Sequence, residues 1–249
     1  NVYSSVENLR LGLEKIWRNL KYGSNFIVGS SAISFKDLNC ESTTIQLKDG
    51  IIEYTKNGVV SNLNDSGAGS PSALVQAIDW SISQNVDIIS ISAGLFTDFK
   101  PLHQVIQKAY AKNIITVCAC GNSANRYYDI AFPARYPEVI GVAAYDQKRQ
   151  VAPFSSRGAN ISFAMPGVGI YTTYPPNSYA RLAGTSFSCP ILSGVCALIL
   201  SKHRKNPGST PCNTPQQMLE HLKKYAIKLG EKNETGFGTV DLDKLFSEV

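Results

Sequence analysis

Histidine is scarce in this chain: His103, His203 and His221 are the only three in 249 residues. That leaves few candidates for a general base. No group of His, Cys, Asp and Glu stands at metal-ligand spacing, and no phosphate-cradling glycine loop opens a helix, so no metal and no cofactor are expected. Dense positive blocks are missing as well. Lys and Arg number 24 against 19 Asp and Glu. The longest basic tract, Lys202 to Lys205, is interrupted by His203 and reads as the complement of a helix C-terminus, not as a nucleic-acid surface. No apolar run reaches the roughly 18 residues of a membrane span, and no signal-peptide pattern follows Asn1. The expectation is therefore a mature or excised domain with no direct membrane span and no nucleic-acid partner.

What is present suits one well-buried globular unit over residues 1–249, with 43% apolar composition. Of the 6 cysteines, 4 lie in apolar segments, where a thiol packs as a small hydrophobe. Cys189 and Cys196 stand about 10 Å apart along a helix, too far to bridge. Cys40 and Cys212 are the loop-like pair, and the connectivity stays open. Asn64-Asp65-Ser66, Asn160-Ile161-Ser162 and Asn233-Glu234-Thr235 are glycosylation sequons, of use only in a secreted chain.

The chain is organised around Leu182 to Lys202. After Gly184-Thr185-Ser186 comes Pro190, expected in a first helical turn, and then a nearly unbroken apolar run from Ile191 to Leu200 that belongs inside a protein. Ser186 stands where unpaired N–H groups and a positive helix end converge, a place suited to a nucleophile. Read without context, the same serine is a helix N-cap. In chain order, Ser4-Ser5-Val6-Glu7 opens an amphipathic helix to about 20, and 25–33 reads as a first core strand. Two short runs, 43–47 and 50–54, suggest a hairpin. A strand at 59–63 follows, then a helix at 74–85, a strand at 86–94, a helix at 101–112 and a strand at 114–120. This alternation predicts a parallel sheet with right-handed crossovers.

Gly184-Thr185-Ser186-Phe187-Ser188-Cys189-Pro190 resembles the nucleophile motif of the subtilisin-like serine proteases, with Phe187 in place of the usual Met. The resemblance continues in order from Val59. Gly67-Ala68-Gly69 and Ser92-Ala93-Gly94 are similar to the two substrate-binding strands, Gly121-Asn122 to the oxyanion segment, and Phe132-Pro133-Ala134 to an aromatic-Pro-Ala turn with a cis bond. It implies a three-layer α/β fold, a mostly parallel central sheet with helices on both faces, over 59–249. Residues 1–58 form a divergent N-terminal portion. It also implies Ser186 as nucleophile and Asn122 as oxyanion donor.

The family's aspartate would fall at Ser30, and its histidine between Ile33 and Val59, where the sequence has none. Along one helix His203 lies roughly 25 Å from Ser186, and His103 and His221 sit on helix flanks. The first expectation is accordingly a catalytically inactive member, with Ser186 and Asn122 vestigial, acting by protein–protein recognition. It would be a monomer with an unnamed protein partner, secreted or at a cell surface as the family implies. Two alternatives stand beside it: an active serine endopeptidase using Ser186 with a base supplied from elsewhere, and a structural domain of a larger surface protein.

Overall fold

Runs of β-branched residues with small partners form the central sheet: β5 Ile88–Ile91, β6 Ile115–Ala119, β7 Ile140–Tyr145 and β8 Ile161–Pro166. The computed structural model describes residues 28–29, 32–36, 42–48, 51–55, 70–124, 130–174, 178–205 and 212–247, the segments up to residue 55 as backbone. The sheet runs β5-β6-β7-β8 with every pair parallel. Every residue of β6 and β7 is buried, as a parallel sheet covered on both faces requires.

The helices are α1 Pro71–Ser83, α2 Lys100–Ala111, α3 Thr185–Lys205, α4 Pro215–Lys224, α5 Lys232–Thr235 and α6 Leu242–Ser247. The helix of 21 residues, α3, packs on all four strands. By length and composition it could cross a bilayer, which no unbroken apolar run had suggested, yet just over half of its apolar window, 56%, is buried against protein. Its hydropathy is that of a core helix. On α2 the buried face is Leu102, Val105, Ile106 and Ala109, the face its periodicity predicts. Thr214 caps α4, accepting the Gln217 N–H at 3.2 Å.

Two compact units are formed. Ala77–Ile170 with Leu182–Val249 make one, which holds the parallel sheet; Asn1–Gln76 with Tyr171–Arg181 make the other. In the second, β1 Val28–Gly29, β2 Ala32–Lys36, β3 Ser42–Lys48 and β4 Ile51–Thr55 form an antiparallel sheet in sequence order. Lys48 pairs with Ile51 across Asp49-Gly50, so the expected hairpin is present. The single core strand expected at 25–33 is not: Val28 pairs with Ile33 and Gly29 with Ala32, a reversal that Gly-Ser-Ser composition favours over continued extension. Short strands β9 Ile170–Tyr174 and β10 Ser178–Leu182 pair, as do β11 Ala226–Ile227 and β12 Thr239–Val240. The helix expected at 5–20, the strand at 59–63, and Ser30, Cys40, Gly67, Ala68 and Gly69 lie outside the described residues.

Helix α3 also begins differently from expectation. It starts at Thr185, so Pro190 lies inside it and not in its first turn. Strand β5 ends at Ile91, three residues short of the expected run, because its parallel partner β6 is matched only through Cys118.

Candidate active site

Three side chains in the first two turns of α3 tie it to different strands of the sheet. The Thr185 hydroxyl accepts the N–H of Gly121, beyond β6, at 3.1 Å. Ser188 Oγ lies 3.1 Å from the carbonyls of both Met165 and Pro166 in β8. The Cys189 thiol faces the Val117 carbonyl of β6 at 3.3 Å and the Ile91 carbonyl of β5 at 3.5 Å. Gly167 has to be glycine, because a Cβ there would overlap Ser188 Oγ and come within 2.6 Å of Ala144 Cβ. Ser186 stands among these anchors, half-buried. Reactive groups of open α/β sheets gather at the C-terminal ends of the strands.

Asn122 holds the helix start. Its Oδ1 accepts both the Thr185 N–H and the Thr185 hydroxyl proton, each at 2.9 Å. Two donors facing one atom require that atom to be the oxygen, so the amide NH2 is turned the other way. Asn122 Nδ2 lies on the Gly184 side, 3.2 Å from where a Cβ on Gly184 would sit. The cap of α3 is therefore Asn122 from across the sheet, and Ser186 is not an N-cap. Thr185 N–H is taken by Asn122, and Phe187 N–H by the Gly184 carbonyl at 3.1 Å. The Ser186 N–H stands between them, in a turn where a helix supplies no internal acceptor. An anion beside Ser186 Oγ would meet the positive end of α3 and the Asn122 amide, which is the setting of an oxyanion.

Ser92, Ala93 and Gly94 follow β5 and are exposed. At Gly94 a Cβ would come within 2.7 Å of Ala131 Cβ and 3.0 Å of the Phe132 carbonyl oxygen, so glycine is needed there. Next to it Leu95 and Phe132 exchange backbone hydrogen bonds of 2.8 and 2.7 Å, and the Phe132–Pro133 bond is cis, as expected. Ser92 Oγ donates to the Ser186 carbonyl at 2.9 Å, and Ser186 Oγ lies 3.4 Å from the Ser92 carbonyl.

The three histidines are engaged elsewhere. His103 stacks on Tyr136 with ring centroids 4.0 Å apart and faces Glu138 Oε1 at 3.1 Å. His203 lies 3.2 Å from Asn213 Nδ2, and His221 packs on Tyr225. Cys118, Cys120, Cys189 and Cys196 are free and buried, and Cys212 is buried as well. No metal-binding group occurs among the described residues.

The profile of the subtilase family matches residues 36–238. The chain belongs to the subtilase family. It is 38% identical over 183 residues to subtilisin DY of Bacillus licheniformis, an alignment covering 73% of this chain and 64% of the relative. It is 33% identical over 195 residues to the minor extracellular protease Epr of Bacillus subtilis (strain 168), covering 77% of this chain and 29% of the relative. The chain thus spans less than two thirds of these relatives' lengths. Among solved structures, the prenylagaramide maturation protease PagA superposes with a TM-score of 0.65 at 28% identity, over 72% of this subtilase and 68% of that chain. The subtilisin-like α/β fold with its parallel central sheet is thereby established.

The expectation of a catalytically inactive protein is overturned. The relatives are named proteases, matched over about three quarters of this chain. Its basis was Ser30 at the family's aspartate position and the lack of a histidine between Ile33 and Val59, and there the structure describes strand backbone only. No described residue shows a catalytic group lost. The sequence nominated Ser186 and Asn122, which the structure brings together at the start of α3, but not the hydroxyls of Thr185 and Ser92 that contact them. One local signal existed for Ser92: a proline four residues after Ser186 marks a carbonyl in need of another donor.

Proposed function

We propose that this subtilase is a serine endopeptidase whose nucleophile is Ser186. The observation that carries the reading is the Asn122 amide, locked with its oxygen on Thr185 and its NH2 turned away, beside a serine at a helix start. Ser186 Oγ would attack the carbonyl carbon of a peptide bond while its proton passes to a base, giving a tetrahedral oxyanion. Asn122 Nδ2 and the Ser186 N–H donate to that oxygen. Collapse breaks the C–N bond as the base returns the proton to the departing amine, and water then releases the ester by the same route. The base and its orienting carboxylate come from outside the described residues. The exposed stretch Ser92-Ala93-Gly94 offers main-chain groups for pairing with an extended substrate. A secreted setting is supported by the extracellular protease of Bacillus subtilis among the relatives.

The test is a fluorophosphonate probe on the full-length polypeptide, read by intact mass and peptide mapping. One adduct on Ser186, absent in Ser186→Ala, is expected, together with cleavage of extended peptides. No adduct on Ser186 in the folded full-length protein would overturn the reading.

A further inference from the structure

A proline inside a helix leaves the carbonyl four residues earlier without its donor. Pro190 lies inside α3, and the carbonyl it deprives is that of Ser186. That oxygen is satisfied from another element: Ser92 Oγ donates to it at 2.9 Å. In the opposite direction, Ser186 Oγ faces the Ser92 carbonyl at 3.4 Å, a long and weak hydrogen bond. One residue beyond β5 therefore contacts the nucleophile twice, through its side chain and its main chain.

The geometry points to Ser92 as a positioning residue for Ser186, its hydroxyl standing in for the N–H that Pro190 lacks. This rests on the peptidase reading. The hydroxyl bond fixes the peptide that follows Ser186 and with it the direction of the Ser186 side chain. The Ser92 carbonyl holds the Ser186 proton in the resting state by a bond weak enough to yield to a base. Because Ser92 Oγ is committed to Ser186, its effect falls on the reaction step and not on substrate affinity. Pro190 is part of the device. A residue with an N–H at 190 would donate to the Ser186 carbonyl itself and make the Ser92 hydroxyl redundant.

The experiment measures fluorophosphonate labelling of Ser186 and peptide turnover in the full-length protein. It compares Ser92→Ala, Ser92→Thr and the double variant Ser92→Ala with Pro190→Ala. Loss of one neutral hydrogen bond from the reacting geometry predicts labelling and kcat slowed about five- to tenfold in Ser92→Ala, with KM changed less than about twofold. Ser92→Thr keeps the hydroxyl and should stay near wild type. The double variant should recover most of the loss, which a merely structural role of Ser92 gives no reason to expect. A second readout is the 13C carbonyl resonance of Ser186, assigned by its disappearance in Ser186→Ala. It should move on Ser92→Ala and return in the double variant. Wild type that labels, with Ser92→Ala labelling at the same rate or with no recovery at Pro190→Ala, overturns the Ser92 assignment alone. Wild type that never labels overturns the peptidase reading and takes this assignment with it.

Discussion

Asn122 caps α3 and, in the proposed reaction, also serves the oxyanion, and the two roles separate by substitution. Its oxygen caps α3 through the Thr185 N–H, and its NH2 faces the side where negative charge would develop. Asn122→Ala removes both. Stability should drop by about 1 kcal/mol, the worth of a cap. Labelling of Ser186 should slow by about 10² to 10³, the range known for the oxyanion asparagine of subtilisin. Asn122→Asp keeps an acceptor for Thr185 but supplies no donor and adds a negative charge, so the cap should survive while labelling falls at least as far. Ser186→Ala should leave stability within about 0.5 kcal/mol, because that serine is not the cap. Urea titrations of the three variants, set beside the labelling rates of the two Asn122 variants, check the separation. A stability loss in Ser186→Ala as large as in Asn122→Ala would return the cap to Ser186.

At the scale of elements, α3 and β6 carry thiols the solvent does not reach. Cys118 and Cys120 are fully buried, and burial pushes both thiols well up, with the nearby Cys189 sulfur adding to the effect. Cys189 is raised chiefly by burial, and Cys196 is pushed up to about 12 by burial. Only the thiolate reacts quickly with alkylating agents. Iodoacetamide at pH 8 should therefore leave Cys118, Cys120, Cys189 and Cys196 unmodified in the native protein and modify all four in denaturant, as read by peptide mapping. Rapid native modification of any of them would mean that α3 opens from the sheet.

The same elements show what was legible beforehand. Helix α2, helix α3 and strands β5 and β6 announce themselves through periodicity and apolar runs, local signals that burial then enforces. Ser186 and Asn122 were legible as candidates through motif resemblance. The hydroxyl and thiol ties were not, since Thr185 meets Asn122 across 63 residues and Ser186 meets Ser92 across 94, and Pro190 marks locally that the Ser186 carbonyl needs a donor but not which residue supplies it. Pro190 misled because its local rule places it in a first turn. A hydroxyl one residue beyond β5 relaxed that rule. Val28 was placed in the core sheet on its apolar neighbours, whereas its pairing is with Ile33 in an antiparallel hairpin.

For the molecule as a whole, the buried thiols set an alkaline limit. A thiol whose folded pKa is raised keeps its proton while the unfolded chain loses its own. Stability is therefore full below the unfolded value of about 8.5 and declines as pH rises toward the folded value. For Cys196 that window closes at about 12. Each such thiol contributes a slope of about 1.4 kcal/mol per pH unit within the window. Urea unfolding at pH 8, 9.5 and 11 should show a steep fall, and Cys196→Ala should flatten it by about one thiol's share even if it lowers stability at pH 8. A slope identical in the two proteins would show that Cys196 ionises alike folded and unfolded.

Helix α3 covers all four strands of the parallel sheet, yet it comes last among them in the chain. Ser193 on α3 meets Ser90 on β5 across 103 residues, and Cys189 meets the same serine across 99. On a ribosome adding about 5 to 20 residues per second, strand β5 emerges roughly 5 to 20 seconds before the helix that shields it. Through that interval the strands have no cover on the face that α3 will take, and the serine already has its β5 neighbour waiting but no helix to sit on. Assembly of the end of the sheet beside Ser186 thus waits for α3. The turn that carries Ser186 therefore gains its ties to β5, β6 and β8 only after all three strands have been made.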